Sequence, residues 1–296
     1  MSTVISLNPS LNSSLSRAED EIDFDRRFGG IARLYGSTAL ARFRSADVCV
    51  VGVGGVGSWI VEALARSAIG NITMIDLDNV AESNINRQIH ALSDTLGKAK
   101  VTALAERIAQ INPFCRVTEV EDFLTADNLD AMIGARNFDY VVDAIDDVRA
   151  KTALIAYCRD KGIRLITIGG AGGQIDPTRI EIRDLSRTEQ EPLLAKVRKR
   201  LRAHHGFPRG PKNKFGIDAV FSTEPLRFPE TAESCAVNGG DASGISGLNC
   251  AGFGSSMAVT ASFGLVAAAQ VLRKLAQDDV KQPEPVGADE PAAVAA

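Results

Sequence analysis

Two acids and two cations follow a glycine-rich turn in a fixed order: Asp76, Arg87, Lys100 and Asp146, behind Gly52, Gly54 and Gly57 in Val48–Gly57, VCVVGVGGVG. The glycines match G-x-G-x-x-G. They allow a tight turn and let a phosphate approach the backbone. The helix that starts at Ser58 would aim free N–H groups at that anion. Asp76, roughly 20 residues past the turn, stands where a ribose-binding acid belongs. A nicotinamide cofactor needs nothing further, yet the chain adds Arg87 in Ser83–Gln88, SNINRQ, Lys100 in Gly97–Lys100, GKAK, and Asp146 in Asp143–Asp146, DAID. Arg87 offers a fork to phosphate oxygens, Lys100 a second positive charge, and Asp146 a carboxylate for magnesium. That set fits the triphosphate of ATP better than the two phosphates of NAD.

The elements that must position these residues are legible as alternation. Apolar strands are predicted at 48–52, 72–76, 116–120, 138–143 and 163–169. Helical patterns lie between them at 58–69, 98–111, 125–134 and 148–161, with Gly70 as a C-cap and Asn112-Pro113 as a stop. This predicts an α/β fold: a Rossmann-like, doubly wound, mostly parallel sheet with helices on both faces. After the flexible turn Gly169–Gly173 the pattern changes to a half-exposed strand at Arg179–Ile182, which suggests an antiparallel C-terminal extension. The expected organisation is a flexible segment 1–25, an adenylation domain 26–275 with a basic insert 187–216, and a disordered tail 276–296 rich in Pro, Ala and acids. Residues 230–247 read as a loop.

The ordered set G-x-G-G-x-G-S, I-D-x-D, S-N-x-x-R-Q, G-x-x-K and D-x-x-D resembles the ThiF/MoeB family of adenylating enzymes, relatives of ubiquitin-activating enzymes. The resemblance covers roughly Arg26 to Leu185 and a C-terminal helix, Gly252–Leu272. It implies that Gly52, Gly54, Gly55 and Gly57 hold the ATP phosphates and that Asp76 binds the ribose. Asn84, Arg87 and Lys100 would contact phosphate, Asp146 would coordinate Mg2+, and Arg87, Lys100 and Asp146 would be the catalytic residues. The stretches 27–36, 86–91, 168–178 and 220–224 look most like a branch of the family that acts on tRNA. That branch uses ATP to dehydrate and cyclise the threonylcarbamoyl group on an adenosine beside the anticodon. A homodimer is implied as well. Relatives carry an arginine finger in R-x-x-R; here Arg27 matches the first arginine and Gly30 stands at the second, so Arg27 or Arg33 would substitute. No C-x-x-C pair is present, so the structural zinc of many relatives is expected to be missing.

Composition bounds the alternatives. The chain has 296 residues, 45% hydrophobic and 24% charged, with a net charge of −4. That is an ordinary globular composition with no general affinity for nucleic acid, and DNA binding is not expected. Five scattered cysteines argue against a disulfide framework and for a reducing compartment, and residues 1–20 lack an apolar signal core, so a cytoplasmic location is expected. Ala242–Leu272 holds no charged residue; its many small residues favour a buried helix over a membrane span. Against the acidic background, Leu193–Ile217 holds eight Lys or Arg and no acid. Such a run is ordinarily a solvated face. Here it concentrates enough charge to hold RNA, and Lys196, Arg198, Lys199, Arg200 and Arg202 are the residues expected to touch tRNA. Cys235 and Cys250 read as loop and core cysteines rather than nucleophiles. His90, His204 and His205 show no ligand spacing. The rival functions are an activator of a ubiquitin-like sulfur carrier, a NAD oxidoreductase and a non-catalytic nucleotide-binding scaffold. A sulfur-transfer or redox partner stays open.

Overall fold

The structure, a computed structural model, describes residues 22–228, apart from Pro211, and residues 253–277. The elements are α1 (Phe24–Tyr35), α2 (Ser37–Ser45), β1 (Asp47–Val51), α3 (Gly57–Arg66), β2 (Asn71–Ile75), α4 (Lys100–Ile111) and β3 (Arg116–Val120). They continue with β4 (Tyr140–Asp143), α5 (Val148–Lys161), β5 (Leu165–Ile168), β6 (Ile180–Asp184), α6 (Pro192–His204), β7 (Asp218–Ser222) and α7 (Met257–Ala276). The seven strands form one sheet in the order β3-β2-β1-β4-β5-β7-β6. All neighbours are parallel except β6, which runs antiparallel to β7. The doubly wound sheet and its antiparallel extension are as the sequence pattern predicts.

The unbroken apolar run of β1 follows from burial on both faces. Val48 and Val50 join the core under α3, α4 and α7, whereas Cys49 and Val51 join the core under α5 and α6. The order of strands reverses between β1 and β4. In an open α/β sheet a crevice forms there, beyond the carboxyl ends of the strands. The glycine turn leaves β1 and the Asp143–Asp146 stretch leaves β4, so both rim that crevice.

Two local expectations are corrected. The helix expected at 125–134 is only a single wide turn, Asp130–Gly134. The Asn128 side chain takes the Thr125 N–H at 2.8 Å and donates to Phe123 O at 2.8 Å. These local bonds compete with helical ones. Gly70 is not a cap, because α3 ends at Arg66 with Ser67 behind it. Its need for glycine is steric: a Cβ there would stand 1.8 Å from Arg44 O. α7 is long and apolar enough by composition to cross a bilayer. Its Val259, Phe263, Ala267 and Val271 are nevertheless buried in the core with α3, and a Cβ on Gly264 would meet Val56 O at 2.7 Å. The loop 230–247, Cys235, Cys250 and nearly all of the segments 1–25 and 276–296 lie outside the described residues.

Candidate functional site

The site begins where β1 ends. Gly52 has φ +83, and a Cβ there would lie 2.9 Å from Ala144 O. At Gly57 a Cβ would collide with Gly52 O at 1.8 Å. Gly57 therefore packs the start of α3 against the turn and is not part of the cavity lining, while Gly52, Gly54 and Gly55 do line it. Asp76, at the end of β2, holds the turn in place. Its Oδ2 accepts from Val53 N at 2.8 Å and its Oδ1 from Asp78 N at 2.9 Å. A carboxylate has about four acceptor positions, so two remain for a ligand hydroxyl.

The G-x-x-K stretch folds back on the strand end. Val80 N donates to Lys98 O and Gly97 N to Val80 O, with Gly97 at φ +80. This clamp sets Lys100 at the first turn of α4, with its Nζ 2.7 Å from Asp78 Oδ2 and 3.9 Å from Asp76 Oδ1. Lys100 is buried and its charge is held over the cavity floor. Asp78, the second acid of Ile75–Asp78, is a functional partner to which the sequence reading gave no role.

Arg87 lies half-buried over Gly55, and burial lowers its pKa from the usual guanidinium range. Its Nη1 donates to Ser83 O at 2.7 Å and Asn86 Oδ1 at 2.9 Å. Its own carbonyl is fixed by Trp59 Nε1 at 2.9 Å from α3 and by Thr260 Oγ1 at 3.5 Å from α7. Trp59 and Thr260 carry no local sequence signal, because their role depends on two helices meeting over the loop. Gln88 also lines the cavity, and its Oε1 is buried without a protein partner. Asn84 is placed differently from the other expected phosphate ligands. It is buried, its Oδ1 accepts from Ala81 N at 3.0 Å, and it does not line the cavity.

Asp146 stands exposed at the cavity edge past β4. Desolvation by surrounding protein pushes its carboxyl above the usual range; Lys151 opposes this, and the carboxylates of Asp147 and Asp78 add to it. The cap of α5 is Asp147, whose Oδ1 accepts from Arg149 N and Ala150 N. Asp146 is thus left for a ligand. No group of three or more metal-donor side chains occurs among the described residues. A single carboxylate that gains from a nearby positive charge suits Mg2+, which is commonly held by one or two carboxylates plus substrate phosphates. Beneath Asp146, Lys151 and Asp143 form a fully buried ion pair at 2.9 Å, with Thr167 donating to Asp143 Oδ2 at 2.7 Å. Together these elements enclose a cavity of about 610 Å³.

A ThiF family match spans residues 27–290. The chain belongs to the ThiF family. Within that family it is 53% identical to the tRNA threonylcarbamoyladenosine dehydratase of Escherichia coli (strain K12), over 87% of this chain and 96% of that one. It is 52% identical to the protein of the same name from Haemophilus influenzae, over 86% of this chain and 94% of that one. The crystal structure of the E. coli dehydratase in complex with ATP superposes with a TM-score of 0.76 at 52% identity, covering 85% of this chain and 94% of that chain. The same E. coli protein has also been solved in complex with AMP. Gly52, Gly54, Gly55, Asp76, Arg87, Lys100 and Asp146 converge on one cavity.

The expected arginine finger and RNA contacts are placed unevenly. Arg27 Nη1 donates to Gln110 O at 3.2 Å and Ile111 O at 2.9 Å, so within this chain it caps the C-terminus of α4. Arg33 is exposed on α1. On α6, Leu193, Leu194, Val197 and Leu201 are buried, which turns Lys196 and Lys199 to solvent. Arg198, Arg200 and Arg202 are half-buried. Arg198 Nη1 donates to Thr188 Oγ1, and Arg202 lies 5.1 Å from the centre of the Phe215 ring.

Proposed function

We propose that this chain is an ATP-dependent tRNA threonylcarbamoyladenosine dehydratase. The observation that carries the reading is the joint placement of Arg87, Lys100 and Asp146 around the glycine turn, with Leu193, from the first turn of the basic helix, in the same cavity wall. The names of its relatives and the ATP and AMP complexes of the E. coli enzyme support it.

A carboxylate is a poor electrophile because its leaving group would be oxide. In the proposed reaction the threonylcarbamoyl carboxylate oxygen attacks the α-phosphorus of ATP. The bond to the bridging oxygen breaks and pyrophosphate leaves with its electron pair. The ureido group of the same substrate then attacks the activated carbonyl, loses a proton, and AMP departs as the ring closes. The substrate has lost one water, which ATP cleavage has consumed. This route needs no covalent nucleophile from the protein. Lys100, preorganised by Asp76 and Asp78, and Arg87, braced by Trp59 and Thr260, stabilise charge on the phosphates; preorganised charge of this kind is a large term in phosphoryl and acyl transfer. Asp146 would hold Mg2+, which neutralises phosphate charge when bound. Lys196 and Lys199 attract the tRNA backbone.

The protein is further proposed to act as a cytoplasmic homodimer. Leu34 on α1 is 75% exposed, and Met257 and Leu265 on α7 are about half exposed, side chains that a second copy would cover. Light scattering during size exclusion tests this; a monomer at micromolar concentration refutes it. For the activity, pyrophosphate release from ATP is measured with and without threonylcarbamoyladenosine-bearing tRNA. Release that requires the modified tRNA supports the function. Release that responds instead to the C-terminus of a ubiquitin-like protein would establish the sulfur-carrier alternative.

A further inference from the structure

The basic helix and the nucleotide cavity share one buried carboxylate. Glu191 is 4% exposed and sits immediately before α6. It caps that helix by accepting from Leu193 N at 3.2 Å and from Leu194 N. The same carboxylate accepts from Gly170 N at 3.0 Å. Gly170 belongs to the run Gly169–Gly172 that lines the nucleotide cavity, and so does Leu193. The contact is close: a Cβ on Gly169 would stand 2.9 Å from Glu191 Cγ. An N-cap needs only one acceptor and is satisfied by Ser, Thr, Asp or Asn. The longer Glu, buried and shared with a second element, does more than end a helix.

The axis of α6 leads away from that junction. At about 1.5 Å per residue, Lys196 and Lys199 lie roughly 5 and 9 Å along the axis from Leu193. Both are exposed. Exposed cations fix the register of a nucleic acid through its phosphates and carry no base information. Where the held strand delivers its nucleoside is then set by how rigidly their helix is joined to the cavity. The far end of the glycine run is held separately, since Glu224 Oε2 accepts from Ile175 N at 3.0 Å and Asp176 N at 2.9 Å.

We propose that Glu191 is a positioning residue, one that locks the start of the basic helix to the glycine-rich cavity wall so that RNA held on Lys196 and Lys199 presents its modified nucleoside in one geometry. The proposal rests on the tRNA reading above. Two variants test it. Glu191→Asp keeps an N-cap acceptor but is one methylene too short to reach Gly170 as well. Glu191→Gln keeps the reach but turns one acceptor into a donor facing an N–H. Either variant carries the test if it melts cooperatively. The measurements are ATP affinity, modified-tRNA affinity, kcat at saturating tRNA, and hydrogen exchange at the Gly170 amide. The expected result is faster Gly170 exchange and both affinities within about twofold of wild type, with kcat down about tenfold or more, since small misplacements of reacting groups cost that much. Unchanged kcat overturns the proposal. So does a fall in both affinities in step with kcat, which would make Glu191 a structural residue only. If the wild-type chain turns over no modified tRNA, the proposed function falls and takes the RNA half of this inference with it. Unchanged Gly170 exchange refutes the tether by itself.

Discussion

Replacing Lys151 by Met should cost a large part of the stability of this protein. Lys151 and Asp143 are both 0% exposed, with Nζ 2.9 Å from Oδ2. Nζ also reaches Asp143 O and Thr167 Oγ1, each at 3.1 Å. At an effective dielectric of about 20 the bare attraction at this distance is roughly 6 kcal/mol, offset by the desolvation of two charges. Removing one partner leaves the other charge buried and typically costs about 3–5 kcal/mol. Against a usual total of about 5–15 kcal/mol, that is roughly a fifth or more. With a urea m-value of about 3 kcal/mol/M, Lys151→Met should move the midpoint down by roughly 1–1.7 M. Asp143→Asn/Lys151→Met removes both charges and should recover at least about 2 kcal/mol of the loss, because no charge stays unpaired. The sign with pH is fixed too. Burial already holds the Asp143 carboxyl above its usual range, and Lys151 is the main influence lowering it. Without Lys151 the folded state binds the proton more tightly than the unfolded chain, so the variant loses stability as pH rises through the raised pKa. The deficit should be smaller at acidic than at alkaline pH. A single variant as stable as wild type, or a double variant no better than the single, would refute the ion-pair reasoning.

Lys100→Ala and Asp146→Asn should each lower turnover about 100-fold or more with little change in thermal unfolding, since both face the cavity; wild-type kcat in either removes that residue from the mechanism. Charge reversal at the exposed Lys196 and Lys199 should weaken tRNA binding and flatten its dependence on salt while leaving ATP affinity unchanged, and an unaltered salt slope would mean that the run is only a solvated face. His90 is 2% exposed with neither ring nitrogen partnered, and its pKa is pushed from 6.5 down to about 4, by burial first and then by Lys100 and Arg107. The unfolded chain binds that proton more readily, so stability should fall by up to about 3 kcal/mol as pH drops through this window, and urea melts of His90→Leu should show a flatter profile.

What the sequence determined by itself is local. Val48–Val51 had to be a strand buried on both faces, because an unbroken apolar run ending in Gly52 fits little else. The order glycine turn, Asp76, Arg87, Lys100, Asp146 was enough to prefer a triphosphate, since the count of charges does not depend on where they sit. Local competition was harder to see: Asn128 diverts a helical pattern through its side chain, and Asp147, rather than Asp146, takes the cap of α5. The tertiary structure alone decided which groups meet. Lys100 reaches Asp78 because 97–100 folds onto the end of β2, and the carbonyl of Arg87 is braced by Trp59 and Thr260, the latter 173 positions away. Glu191 looks like an ordinary residue before a helix until Gly170 is placed against it. Local patterns arise from sterics and periodicity within a few residues. Partnerships across tens or hundreds of residues depend on sheet order and helix packing, which a short stretch of sequence does not encode.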